Sequence, residues 1–320
     1  MAEGIVDRAQ ALFASRQFRQ GMDLLGQAAR SGDAGALEML AAMALSGDMV
    51  NRDLALSRDL YGKAAQAGST SAAATYRAFV ANGTGGAADW GAAIKLLEGA
   101  AQSDAEAARE LKAIRAMQLG EAGEPKGPFP SEQLSSSPEV QLFSGLFSAE
   151  ECDFLIERSA PSLRPSLVVD PQTGQQVPNP VRTSDAIGFP LVSESPAIHA
   201  LCRRLAEASN THVKQGEPLQ VLRYRPGQQY RPHFDAISDS ENQRVLTFLV
   251  YLNDDYEGGE TEFLSTGLKV KGKKGDGLLF RNADSSGVPD PSAQHAGLPV
   301  SAGEKFLASR WIRERRFTPE

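Results

Sequence analysis

The chain has 320 residues, about twice the length of a typical domain, so two domains are expected, and each is long enough to bury a core. With 41% hydrophobic and 23% charged residues, 18 Pro and 30 Gly, the composition excludes a collagen-like, disordered or membrane-bundle protein. A net charge of −7 argues against broad electrostatic binding to nucleic acid or anionic lipid and leaves proteins and small molecules as the expected partners.

The N-terminus carries acids, Glu3 and Asp7, where a signal peptide would carry positive charge, and no apolar run is long enough to span a bilayer. Cys152 and Cys202 are the only cysteines, too few for a disulfide framework. A reducing, cytoplasmic setting is the expectation.

Residues 5–118 repeat themselves. Leu24-Leu25-Gly26-Gln27-Ala28-Ala29 returns as Leu60-Tyr61-Gly62-Lys63-Ala64-Ala65 and as Leu96-Leu97-Glu98-Gly99-Ala100-Ala101, a step of 36 residues each time. The same step carries Gln17-Phe18 onto Asp53-Leu54 and Asp89-Trp90, and Gly32 onto Gly68. Each unit predicts a helix, a Gly or Asp turn and a second Ala-rich helix, and a unit that cannot bury its apolar face alone must stack on the next. In period and in its Ala-Ala-x-x-Gly turn the segment resembles the Sel-one-like repeats, relatives of the tetratricopeptide family. The resemblance implies a short solenoid for protein contacts, with a merely stabilising helical cap as the alternative.

Gly120 to Pro138 holds four Pro and two further Gly around a Ser135-Ser136-Ser137 run and reads as a linker, giving domains 1–119 and 139–320 around a 120–138 connection. Beyond it, Ser148-Ala149-Glu150-Glu151 has the form of a capping box and predicts a helix through Cys152 and Ile156; a second helix is predicted over 196–208. Between them, Asp170-Pro171-Gln172-Thr173-Gly174 and Pro178-Asn179-Pro180 suggest an irregular loop beside a strand-like 167–169, the place for a lid over residues 170–180. From Leu219 short strands are predicted over 219–225, 231–235, 244–252, 261–264, 268–271, 277–281 and 305–313, with Gly-rich turns that suit an antiparallel jelly roll or small barrel.

Within this β region His233 and Asp235 are two residues apart, and on a strand that spacing puts both on one face. With His295 they offer two imidazoles and a carboxylate, a set that leaves an octahedral metal three open positions, as in non-haem Fe(II) oxygenases; zinc prefers more closed sites. Ten residues after His295 comes Lys305, which shares a face with Leu307, Ser309 and Trp311 under period 2. A cation facing a barrel interior calls for an anionic partner.

From Pro138 to Phe317 the chain resembles the prolyl 4-hydroxylase branch of the Fe(II)/2-oxoglutarate-dependent dioxygenases. The resemblance is carried by Tyr224-Arg225-Pro226-Gly227 through His233-Phe234-Asp235, then Gln243 to Leu252, Gly258-Gly259-Glu260-Thr261, His295 and Lys305, in family order. It implies a double-stranded β-helix, a jelly roll with flanking helices, following the α-helical repeat solenoid. It implies that His233, Asp235 and His295 hold iron, that Lys305 pairs with the distal carboxylate of 2-oxoglutarate and that Tyr224 contacts this cosubstrate. Tyr230 and Arg244 correspond to positions near the substrate, and Trp311 to a strand tryptophan beside the site. Arg313 stands where collagen-type members carry histidine, and is expected to take an anion contact or shift specificity. The activity so implied is O2-dependent hydroxylation of a prolyl residue in a peptide or protein, coupled to decarboxylation of 2-oxoglutarate to succinate, with ascorbate as reductant and the repeats recruiting the target. The alternatives are hydroxylation of a free amino acid or small metabolite, a repeat scaffold with an idle barrel, and a metal hydrolase or isomerase on a cupin-like barrel. His199 and His212 fit no part of the motif and read as structural or surface residues.

Overall fold

The computed structural model describes residues 4–169, 176–284 and 286–318. They divide into two compact units, one of Met1–Ala108 with Leu191–His199, the other of Arg109–Pro190 with Ala200–Pro319. The helices of the N-terminal segment are α1 (Ile5–Ala14), α2 (Phe18–Arg30), α3 (Ala34–Ser46), α4 (Leu54–Gln66), α5 (Thr70–Asn82), α6 (Trp90–Ala100) and α7 (Ala105–Ala116). The 36-residue step reappears in their caps. The Asp53 and Asp89 side chains accept from the amides of Leu56 and Ala92 at 2.9 and 2.8 Å, while Asp33 and Ser69 do the same for Ala36 and Ala72. Gly47 and Gly83 close α3 and α5 in the left-handed region, at φ of 80° and 76°, where a side chain would be strained. Leu25, Ala28 and Ala36 bury one cluster, and Ala64, Ala72, Tyr61 and Phe79 the next, so the alanine pairs of the repeat let helices close on each other.

The second unit opens with β1 (Glu132–Ser136), β2 (Glu139–Phe143) and α8 (Ala149–Ser159). The strand β1 corrects the linker expected over 120–138. It pairs antiparallel with β2 through a turn at Ser137-Pro138, and as the edge of a sheet it stays largely exposed, so it needs none of the apolar alternation that marks an inner strand. The capping box of α8 forms as expected, Ser148 Oγ accepting from Glu151 N and Glu151 Oε2 accepting from Ser148 N.

Next come β3 (Arg164–Pro165), β4 (Leu167–Val169), β5 (Gln176–Pro178), β6 (Asp185–Phe189), α9 (Pro196–Ala208), β7 (Leu219–Tyr224), β8 (Tyr230–His233), β9 (Arg244–Tyr251) and β10 (Glu257–Gly258). The last are β11 (Thr261–Phe263), β12 (Leu268–Val270), β13 (Gly277–Arg281), β14 (His295–Gly297), β15 (Val300–Ala302) and β16 (Lys305–Arg313). Residues 170–175, most of the expected lid, lie outside the described residues; the flanking β4 and β5 pair as an antiparallel ribbon.

An eight-stranded sheet in the order β1-β2-β13-β9-β16-β7-β6-β3 and a four-stranded sheet in the order β12-β11-β14-β8 make the two layers of a jelly roll. Leu222, Leu249, Leu278, Phe280 and Leu307 from the large sheet meet Phe263 and Val270 from the small one in a single buried core. Strand β6 has no sequence signal, because its Asp185 is buried by pairing with Arg223 rather than by apolar character.

Candidate functional site

His233 and His295 sit directly opposite each other on the paired strands β8 and β14. Asp235 does not share their strand: β8 ends at His233, which corrects the expected 231–235 strand. The chain turns there, exposing Phe234 and burying Asp235, and the carboxylate still meets both rings, Oδ1 3.6 Å from His233 Nε2 and Oδ2 3.6 Å from His295 Nε2. One ligand-type atom from each residue lies within 4.8 Å of the others.

The hydrogen bonds set the tautomers. Nδ1 of His233 contacts the carbonyl of Arg231 at 2.8 Å and Nδ1 of His295 that of Ala293 at 3.0 Å. A carbonyl only accepts, so each ring donates from Nδ1 and presents Nε2 toward the carboxylate, the orientation of metal-ligating histidines. Burial pushes the His295 imidazolium down to about 4, so this ring is neutral at physiological pH. Burial also works to raise Asp235, but the facing His233 and His295 rings and the hydrogen bond from the Thr247 hydroxyl outweigh it and hold the acid below the usual carboxylate range. The Tyr230 ring stacks on His233 with centroids 3.4 Å apart, and Phe280 packs edge-on against His295.

Strand β16 carries Lys305, Leu307, Ser309 and Trp311 onto one face, and all four line the cavity that also holds the triad, Tyr224 and Tyr230. Lys305 is 3% exposed. Its Nζ donates to the carbonyl of Gly259 at 2.7 Å and lies 5.4 to 6.0 Å from the ring centres of Tyr251, Tyr224 and Tyr256. Gly259 has φ +70°, and a Cβ there would stand 3.3 Å from the lysine stem and the Tyr256 ring, so glycine is what lets its carbonyl approach. Burial lowers the ammonium to about 8, Glu260 pulling in the opposite direction. Among the described residues no carboxylate forms an ion pair with Lys305, and the Tyr256 hydroxyl and the Trp311 indole N–H are buried without a partner. Tyr224, opposite Lys305 in the ladder, has its phenol pushed up to about 12 by burial.

Two expected residues lie outside the cavity lining. Arg244 forks onto Glu217, Nε to Oε1 at 2.6 Å and Nη2 to Oε2 at 2.9 Å, with its guanidinium 3.8 Å from the Trp311 ring centre, so it backs the tryptophan. Arg313, two residues after Trp311 at the end of β16, is not among the residues lining the cavity; its guanidinium pairs with Glu217, 2.6 Å away, and donates to the carbonyl of Asn242. Its anion is the chain's own glutamate. Thr261 and Ser309, both within the motif segments, line the cavity too, as does Arg182, which no motif singles out and which reaches over the Tyr230 ring at 5.7 Å. No periodicity marks Arg182, since it comes after an irregular Pro-Asn-Pro loop. His199 is buried against Glu194, and His212 caps a short 3-10 turn by accepting from Lys214 N.

The donor set fits a divalent metal of the iron type, being two imidazoles and one carboxylate crowded on one side of a cavity. The buried ammonium, without a counter-ion among the described residues, fits a small dicarboxylate entering the same space.

Comparison with known proteins points the same way. Residues 219–313 match the 2OG-Fe(II) oxygenase superfamily. Over 203 residues the chain is 39% identical to prolyl 4-hydroxylase 1 of Arabidopsis thaliana, covering 58% of this chain and 72% of that protein. Among solved structures, a viral collagen prolyl hydroxylase from Paramecium Bursaria Chlorella virus-1 in complex with 2OG is similar at 32% identity and a TM-score of 0.45, covering 55% of this chain and 96% of the other. A Sel1 repeat protein from Oxalobacter formigenes is similar at 26% identity and a TM-score of 0.31, covering 34% of this chain and 85% of the other.

Proposed function

The chain belongs to the prolyl 4-hydroxylase family of 2OG-Fe(II) oxygenases, and from that premise we propose that this 2OG-dependent dioxygenase hydroxylates a prolyl residue of a peptide or protein at the cavity around His233, Asp235 and His295. The observation that carries the assignment of roles is Lys305, a buried cation with no carboxylate ion-paired to it among the described residues, in the cavity that holds the triad. In this reading the two Nε2 atoms and the Asp235 carboxylate hold Fe(II), and Lys305 pairs with the distal carboxylate of 2-oxoglutarate. Iron, 2-oxoglutarate and O2 supply the oxidising chemistry when bound, yielding succinate, carbon dioxide and the hydroxylated product.

The chain's own residues do the rest. Leu222, Leu249, Leu298 and Leu307 line the cavity and exclude water, which strengthens the pairing at Lys305. Tyr224 packs beside the cosubstrate end, and Tyr230, stacked on His233, and Trp311, backed by Arg244, bound the space left for the prolyl ring. The unpartnered indole N–H is free to donate to the bound molecules. Ascorbate is the reductant proposed to restore Fe(II), and a cytoplasmic setting is supported by two buried cysteines outside any disulfide.

Substrate recruitment by the repeats is supported by one exposed large apolar residue on each of α2, α4 and α6: Phe18, Leu56 and Leu96. The test uses the full chain with Fe(II), 2-oxoglutarate and ascorbate against a panel of proline-containing peptides and free proline. Mass spectrometry is expected to show a gain of one oxygen on a peptidyl proline with matching succinate; product on free proline alone would overturn the peptide reading.

A further inference from the structure

We propose that Thr247 and Asn282 form a two-step relay that fixes the Asp235 carboxylate for metal binding, an inference that rests on the metal site proposed above. Thr247 on β9 is 1% exposed, and its Oγ1 donates to Asp235 Oδ2 at 2.7 Å. A hydroxyl has a single proton to give. Asn282 Nδ2 donates to that same oxygen at 2.8 Å, so the threonine proton is committed to the carboxylate rather than free to rotate.

The strand pairing explains how the relay reaches its target. Phe280 of β13 faces Thr247 across the ladder, and Asn282, two residues on, lies on the same face and meets Thr247 diagonally. The Asn282 backbone is pinned on both sides, its N–H to the Val245 carbonyl and its own carbonyl to Asp290 N, each at 2.9 Å. One strand thereby secures two ligands: Phe280 holds His295 by edge-on ring contact and Asn282 holds Asp235 through Thr247. Asp235 needs such help because it lies beyond the end of β8, with no ladder to orient it.

A second observation points to the same role. Asn282 is 1% exposed, yet its Oδ1 has no hydrogen-bond partner among the described residues. A buried amide left half satisfied is costly, and an apolar side chain of similar shape would stabilise the fold better. Its donor to Thr247 is what the amide supplies in return. Thr247 and Asn282 are therefore positioning residues that act through Asp235.

The experiment titrates the full chain with Co(II) alone and follows the visible d–d absorption. Thr247→Val, which keeps the shape and removes the hydroxyl, is expected to weaken Co(II) binding by about 10- to 100-fold, the range for partners that orient a metal ligand. Thr247→Ser should return the affinity to near wild type. Asn282→Leu should weaken binding less than Thr247→Val and add nothing to it in the double variant, because both act on one bond. Unfolding curves without metal confirm that each variant folds, and Asn282→Leu carries the test alone if Thr247→Val does not. Wild-type affinity in Thr247→Val, no recovery in Thr247→Ser, or additive losses in the double variant would overturn the relay. Lack of Co(II) binding by the wild type, or unchanged binding by His295→Ala, would overturn the metal site itself.

Discussion

The helical unit buries alanine, leucine and a few aromatic rings, with Ala36, Ala64 and Ala93 wholly enclosed, whereas the jelly roll encloses Asp235, His295, Lys305, Thr247 and Asn282 among its leucines and phenylalanines. Burying a polar side chain costs free energy unless something compensates it. In the helical unit the buried Ser57 hydroxyl has its answer inside the chain, donating to the Ala41 carbonyl at 2.8 Å. In the jelly roll the Trp311 indole and the Tyr256 hydroxyl have no partner among the described residues, and the Lys305 ammonium has a neutral one, the Gly259 carbonyl. Arg77 Nε in the helical unit is unanswered too, so what sets the jelly roll apart is that Asp235, His295, Lys305 and Trp311 gather at one cavity.

Substitutions can break that contrast. The largest effect is expected from His295→Ala, which removes one of two imidazoles and should lower 2-oxoglutarate turnover by at least about a hundredfold while leaving thermal unfolding of the helical unit unchanged; succinate release measures the first and circular dichroism the second. The converse is Leu97→Ala at a fully buried helical position, expected to cost about 2–5 kcal/mol of stability in denaturant unfolding without altering the affinity for Co(II).

Lys305→Ala should weaken 2-oxoglutarate binding by roughly ten- to a hundredfold, about 1.4 to 2.7 kcal/mol, and sharpens the contrast through pH. The cosubstrate pairs with the ammonium form. With that ammonium at about 8 in the free protein, the dissociation constant should stay flat below pH 8 and rise above it, up to tenfold per pH unit. Calorimetric titration across pH 7 to 9.5 checks this, and in Lys305→Ala the rise should vanish. The smallest effect is expected at Asp53→Ala, which removes one helix cap and should cost about 1 kcal/mol in unfolding with no change in the metal or cosubstrate constants.

Legibility in the sequence also divides along this line. The repeats announce themselves through their period, since each cap and each alanine pair recurs 36 residues on. In the jelly roll the inner strands 277–281 and 305–313 are legible because they alternate or run apolar, and the triad and Lys305 because their residue types are scarce in such places. Polar strands are not legible: β1 is an exposed edge and β6 buries an ion pair. Alternation says nothing of the partner waiting for Arg313 at the strand's end, where Glu217 takes its guanidinium. Arg244 looks like a substrate residue by its position, but its fork is already filled by the same glutamate. Thr247 and Asn282 carry no signal, since their meaning depends on which residues the ladder sets across from each other.

Strand β16 lies between β7 and β9 in the middle of the large sheet, bonded on both sides, and alternation alone presents Lys305, Leu307, Ser309 and Trp311 to the cavity. Inserting one residue early in that stretch would reverse the parity of every later position on the strand, turning Arg310 inward and away from the carbonyls of Cys202, Val213 and Glu217 that it now caps. This stretch is therefore open to exchange of letters but closed to changes of length, unless residues are gained or lost in pairs.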